Sequence, residues 1–142
     1  MKNSKELLTS VLKTTQMGQV GIRSVLDTSA RPELKKALES QLREYDSIET
    51  EAHAIASQRG WELKELDPAV RMMSDMMTRM KLPGHDTDSK IADMMIQGNT
   101  KGMIKSLKDI HRFSGDDEKV QTLSQKLLDC ETANIKQMQG FL

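Results

Sequence analysis

The stretch LKKALESQLREYDSIETEAHAIA at residues 34–56 decides the fold class. Its apolar residues recur every three or four positions, which is the period of one face of an α-helix. They are Leu34, Leu38, Leu42, Tyr45, Ile48, Ala52, Ile55 and Ala56. Pro32 and Gly60 flank the stretch, and these residue types favour the first turn and the C-terminal end of a helix. The spacing therefore predicts one long helix over residues 31–59.

The same period recurs along most of the chain. It predicts further long helices over residues 4–27, 88–113 and 116–140, and a short helix over 68–81. In the 88–113 segment the predicted core face is Ile91, Met94, Met95, Gly98, Gly102, Leu107 and Ile110. Runs with the period of two that marks a strand are absent from the sequence. We therefore predict a single all-α domain spanning residues 1–142.

Composition excludes several classes of function. Lys plus Arg and Asp plus Glu each number 21, so no net charge attracts nucleic acid or anionic lipid. Aromatic residues are only 3% of the chain, too few for a surface that stacks bases. The sequence has no apolar run of membrane-spanning length and no signal peptide, and its one cysteine, Cys130, cannot form an internal disulfide. We expect a reduced, cytoplasmic protein that binds neither nucleic acid nor membrane.

The length of the second helix favours one topology. A helix of roughly 28 residues spans about 42 Å, and the segment that follows it is long enough to return over that distance. The third helix would then run parallel to the second, giving two antiparallel hairpins joined by one long crossover. If the segment folds locally instead, the helices form an up-down bundle with an added short helix.

Polar residues interrupt two of the predicted core faces, namely Glu49 on the second helix and Glu131 with Asn134 on the last. With this helix order the chain resembles bacterial ferritin-like four-helix-bundle proteins, especially small families found in Firmicutes-type bacteria. A metal-binding member of that class carries Glu on two helices and Glu-x-x-His on the other two. Here the corresponding motifs read ETEA at 49–52 and ETAN at 131–134, so both histidines are replaced. The resemblance therefore implies degenerate ligand positions, and we expect no metal and no cofactor.

Three interpretations of these polar residues stay open. Glu49, Glu131 and Asn134 form an altered metal site, or they form a hydrogen-bonded layer in the core. In the second case the expected partners are Gln16 or Gln19 and Asn99. In the third case Glu49 lies at the edge of the helix interface, and Ile48 is the core residue.

Two features are candidates for contact surfaces. The predicted short helix carries methionines at helical spacing, namely Met72, Met73, Met76, Met77 and Met80. They either pack on the bundle or form an adaptable surface for a protein partner or a second copy. Gly98 and Gly102 lie one turn apart, a spacing that permits close approach of another helix within the bundle or across a dimer.

No nucleophile-base pair, phosphate-binding loop or zinc motif is present in the sequence, so we assign no catalytic residue and do not expect an enzyme. We predict a non-catalytic bundle that acts by self-association, as a homodimer, or through a protein partner. The alternative is a divergent metal-binding or oxidative-stress protein.

Overall fold

Four long helices make up most of the computed structural model, which describes residues 1–28, 31–70 and 87–142. They are α1 (Ser4–Leu26), α2 (Pro32–Arg59), α3 (Thr87–His111) and α4 (Glu118–Gln139). The described ranges contain no strand, so the prediction of an all-α chain is confirmed. Residues 68–70 are helical, and the rest of the short helix predicted over 68–81 lies outside the described residues.

Local chemistry at the helix ends explains why the bounds of α1 and α2 lie within one residue of those that the sequence predicts. Asn3 caps α1, because its side chain accepts a hydrogen bond from the Glu6 amide and the Glu6 carboxylate accepts one from the Asn3 amide. Gly60 ends α2 with a left-handed φ of 69°. The Trp61 amide then donates to the Ala56 carbonyl at 2.9 Å, which satisfies a carbonyl at the helix end.

The C-terminal end of α3 and the N-terminal end of α4 differ from the predictions by two residues, because other groups bind the backbone there. α4 begins at Glu118, since Asp117 is its N-cap and accepts from the Val120 amide at 3.3 Å. α3 ends at His111, and Lys2 then bonds to the following residues. The Lys2 amide donates to the Arg112 carbonyl at 2.8 Å, and the Ser114 amide donates to the Lys2 carbonyl at 2.9 Å.

Contacts between helix ends define the direction of each helix. Arg31, just before α2, binds Asp88 in the first turn of α3 at 2.6 Å, so α2 and α3 begin at the same end. Arg59 at the end of α2 binds Asp117 before α4 at 2.8 Å, so these two helices are antiparallel. Because α2 ends at the opposite end from the start of α3, the intervening connection joins opposite ends of the molecule.

One hydrophobic core lies between the four helices. α1 packs on α2, α3 and α4, while α4 also packs on α2 and α3. The largest fully buried apolar side chains come from all four helices, and they include Leu8, Leu12, Ile22, Leu34, Leu38, Ile48, Ile91, Leu123, Leu127 and Met138. In the ranges that the structure describes, no helix combines the length and the apolar character needed to cross a membrane.

Candidate functional site

Four buried polar residues in the core form what we call the central polar layer: Tyr45, Asn99, Glu131 and Asn134. The Tyr45 hydroxyl donates to Asn99 Oδ1 at 2.9 Å and accepts from Asn134 Nδ2 at 3.4 Å. Asn99 Nδ2 donates to the Met95 carbonyl at 2.8 Å within its own helix. The phenol therefore links α2 to both α3 and α4, and buried polar groups of three helices satisfy one another.

Glu131 is the least satisfied member of the layer. It is only 2% exposed, and its Oε2 has no hydrogen-bond partner. Burial raises the pKa of its carboxyl to about 8, and the Tyr45 hydroxyl opposes that rise by a smaller amount. The carboxyl is consequently mostly protonated at neutral pH, because a charge is costly in this apolar setting.

Two glycines provide the space that the layer occupies. A Cβ at Gly18 on α1 would lie 2.5 Å from Tyr45 Cζ, and a Cβ at Gly102 on α3 would lie 2.7 Å from Glu131 Oε1. A Cβ at Gly98, by contrast, would meet no atom within 4 Å. Gly102 is thus explained by a contact within the chain, whereas an intermolecular role for Gly98 stays a prediction.

A second polar group lies at the α1–α2 edge, and we call it the edge network: Gln16, Gln19, Asp46 and Glu49. Gln19 Nε2 donates to Asp46 Oδ1 at 2.8 Å. Glu49 is half-buried and accepts from Gln16 Nε2 at 3.1 Å and from Gln19 Nε2 at 3.3 Å. Ile48 is fully buried and takes the core position instead. Glu49 therefore lies at the edge of the interface with the glutamine partners that the layer interpretation named, and Asn99 belongs to the other group.

Gln16 also fixes the start of the connection after α2. Its Oε1 accepts from the Leu66 amide at 2.8 Å, while its Nε2 lies 3.4 Å from Glu65 Oε1. His53 Nε2 is 3.5 Å from the same Glu65 oxygen. The edge network thus has a structural task, which is to hold residues 65–66 against α1 and α2.

The donor set does not match the one that a ferritin-like di-metal site needs. Glu131 belongs to the central polar layer and Glu49 to the edge network, and the carboxylate of Glu49 accepts hydrogen bonds from two side-chain amides. Burial favours the protonated form of the Glu131 carboxyl, so a metal ion would have to displace that proton to bind there. Asn99, Asn134 and Tyr45 add two amides and a phenol, whereas metals of such sites favour carboxylate with imidazole. Among the residues that the structure describes, no three His, Cys, Asp or Glu side chains are placed to hold a metal ion.

Cys130 lies beside the layer, and Asn134 Nδ2 is 3.6 Å from its sulfur. Burial, together with the nearby Glu44 carboxylate, raises the pKa of the thiol above its usual range. The thiolate is the nucleophilic form, so this cysteine is buried in an unreactive state.

Sequence reasoning did not single out the buried polar residues Tyr45 and Asp109, and it placed exposed residues of α3 on the core face. Tyr45 was counted only as part of the apolar stripe of α2, although it lies one turn before Glu49 and is the single aromatic residue in that stripe. In α3, Asp109 is buried, while Gly98 and Leu107, both predicted to face the core, are exposed, Leu107 by 37%. The last turns of α3 turn the Asp109 side of the helix toward the core because Ser10 of α1 donates a hydrogen bond to the buried Asp109 carboxylate.

The predicted contact surfaces are only partly within the described residues. The five methionines at 72–80 lie outside them. Within them, the exposed large apolar side chains of α3 are Ile104, 45% exposed, and Leu107. Comparison of the chain with protein-family models, with curated proteins and with solved structures found no match.

Proposed function

We propose that the protein is a non-catalytic, ferritin-like four-helix bundle that acts by association, and that it forms a homodimer. The observation that carries this proposal is that the polar groups in and beside the core are hydrogen-bonded to one another. The Tyr45 hydroxyl is hydrogen-bonded to Asn99 and Asn134, and the Glu49 carboxylate is hydrogen-bonded to two glutamines. Side chains that hold the fold in this way are not free to act on a substrate.

The ferritin-like arrangement is supported by helix directions and neighbours. α1 and α2 are consecutive, and α2 and α3 begin at the same end, as Arg31 and Asp88 require. α4 packs on both α2 and α3. A ferritin-like bundle, in which two antiparallel helix hairpins are joined by one crossover that runs the length of the bundle, has the same helix neighbours and helix directions.

The proposed dimer contact is the outer face of α3. Ile104 and Leu107 lie three residues apart, so their side chains are neighbours on one helical face. They are exposed, while Ile91 and Met95 of the same helix are buried. Apolar residues that lie adjacent on a surface are typical of a contact site. Lys101 and Lys108 flank the pair, so we expect added salt to strengthen the dimer by screening the repulsion between two lysine-bearing faces.

Sedimentation velocity over a micromolar concentration series tests the homodimer. We expect the wild type to be dimeric and Leu107→Lys to be monomeric. Ser40→Lys, which adds the same charge at an exposed position on α2, is the matched control and should stay dimeric. A wild type that remains monomeric up to high micromolar concentration would contradict the proposal.

The alternative function, a divergent metal-binding protein, has one observation in its favour. Glu131 Oε2 is buried without a partner, and an oxygen in that position is able to accept a cation. Elemental analysis of protein purified without chelators decides between the two. We expect no stoichiometric metal, and the same result for Glu131→Gln. Stoichiometric metal in the wild type that disappears in Glu131→Gln would establish the alternative.

A further inference from the structure

A groove of about 300 Å³ runs between the first turns of α1 and the last turns of α3. Every residue of its lining carries a polar or charged group, while the hydrocarbon stems of these side chains form much of its surface; the lining comprises Lys2, Lys5, Glu6, Thr9, Ser10, Lys13 and Lys105. We call it the α1–α3 groove. No residue in this lining belongs to the central polar layer or to the edge network, so neither of those groups accounts for it.

The charge of the groove differs from that of the chain. The whole sequence has no net charge, whereas at the groove four lysines outnumber two carboxylates, Glu6 in the lining and the buried Asp109 behind Lys2 and Lys105, so the groove is net positive. That glutamate, Glu6, already accepts a hydrogen bond from the Asn3 amide at the start of α1. A concave surface with several cations concentrates anions from solution.

A buried carboxylate orders two of the four lysines. Asp109 is 5% exposed and accepts a hydrogen bond from the Ser10 hydroxyl. Lys2 Nζ lies 3.6 Å and Lys105 Nζ 3.4 Å from its oxygens. Asp109 therefore holds both ammonium groups at the wall of the groove, which reduces the entropy that a ligand would lose in ordering them.

The other two lysines are available to a ligand. Within the described part of the chain, the ammonium groups of Lys5 and Lys13 have no hydrogen bond and no ion pair. Lys13 is half-buried, so part of its side chain already lies against the protein. Two unpaired cations beside two ordered ones match a ligand with more than one negative charge.

We propose that the α1–α3 groove binds a small anion that carries several linked phosphate groups, as in tripolyphosphate or the phosphate chain of a nucleoside triphosphate. Lysine ammonium groups bind phosphate oxygens as point charges. The groove is open to solvent and its volume of about 300 Å³ is at the lower end of small-ligand sites, so it suits a compact anion that stays partly hydrated. Because its lining contains no aromatic residue, the phosphate chain is recognised and a nucleobase is not. This proposal is independent of the proposed dimer.

Calorimetric titration at low ionic strength with tripolyphosphate, ATP and adenosine tests the proposal. We expect saturable binding of one tripolyphosphate per chain, similar affinity for ATP, and no binding of adenosine. In the double variant Lys5→Gln/Lys13→Gln the affinity for tripolyphosphate should fall about tenfold or more, which corresponds to about 1.4 kcal/mol. The control Lys35→Gln/Lys36→Gln on α2 loses the same two charges and should bind within about twofold of the wild type.

Three results would overturn the proposal. One is no saturable binding of tripolyphosphate at low salt. Another is an equal loss of affinity in both double variants, which would mean attraction by overall charge rather than by the groove. The third is binding of adenosine, which would place recognition on the base. Far-ultraviolet circular dichroism of each variant checks that its helices are intact.

Discussion

The central polar layer and the edge network place the same residue type in opposite settings. Glu131 and Glu49 each begin a Glu-Thr-x-x stretch of a long helix, yet Glu131 is almost wholly buried with one oxygen unpartnered, while Glu49 is half-buried with two amide donors. The pKa of Glu131 is raised to about 8 as a consequence. A motif position therefore does not define the protonation state of a carboxyl group, because desolvation and available donors decide it.

The two regions also differ in how their neighbours accommodate them. In the layer, glycines at 18 and 102 leave room for a phenol and a carboxyl group. At the edge, long glutamine side chains reach outward to carboxylates that remain partly hydrated. Substitutions in the layer should therefore change stability far more than substitutions in the edge network.

The largest expected effect is the pH dependence that Glu131 confers. Its folded-state pKa of about 8 is above its ordinary value of 4.5, so the folded chain binds more protons than the unfolded chain between these values. This contribution to stability is present below pH 4.5 and is lost as the pH rises to about 8. The free energy of unfolding should fall by about 1.4 kcal/mol per pH unit in that window.

Urea denaturation of the wild type, Glu131→Gln and Glu49→Gln measures that effect. The pH is varied from about 5 to about 8.5, which covers most of the interval between the unfolded and folded pKa values of Glu131. Glu131→Gln should lose most of the slope and should be more stable than the wild type at the alkaline end. Glu49→Gln, the matched change in the edge network, should keep the slope. Parallel curves for all three proteins would show that Glu131 is not the titrating group.

The next largest effect on stability is expected when the glycine that makes room for the Tyr45 ring is replaced. Gly18→Ala places a Cβ against the Tyr45 ring, and overpacking of this kind costs up to about 3 kcal/mol. Gly98→Ala is the matched control, because its Cβ meets open space and alanine favours the helix by up to about 1 kcal/mol. Thermal or urea denaturation should give changes of opposite sign. Equal changes at both positions would mean that Tyr45 does not fill the space beside Gly18.

The smallest effect compares single hydrogen bonds in the two regions. Tyr45→Phe leaves buried Asn99 Oδ1 without its donor and should cost about 1–2 kcal/mol. Removing one charge from the edge network with Glu49→Gln should change stability by less than about 0.5 kcal/mol at pH 7, since water reaches the site. A cost for Glu49→Gln that exceeds that of Tyr45→Phe would reverse the ranking of the two regions.

Sequence reasoning found the elements and only part of the site. The capping pair at Asn3 and Glu6 and the stop at Gly60 depend on neighbouring residues, so the sequence shows them directly. The central polar layer depends on residues 54 and 89 positions apart, namely the Tyr45 contacts with Asn99 and Asn134. Helical periodicity does not report such contacts, and it also left open whether Ile48 or Glu49 faces the core.

The sequence by itself determined that this chain is all-α, with long helices at the observed places, because helix propensity, caps and apolar period act within a few turns. Only the tertiary structure decided the rotation of each helix about its axis. That rotation buries Ile48 rather than Glu49, and Asp109 rather than Leu107, because burial of a polar group costs least where another helix supplies its partner. Ser10 supplies that partner for Asp109, and it lies 99 residues away in the chain.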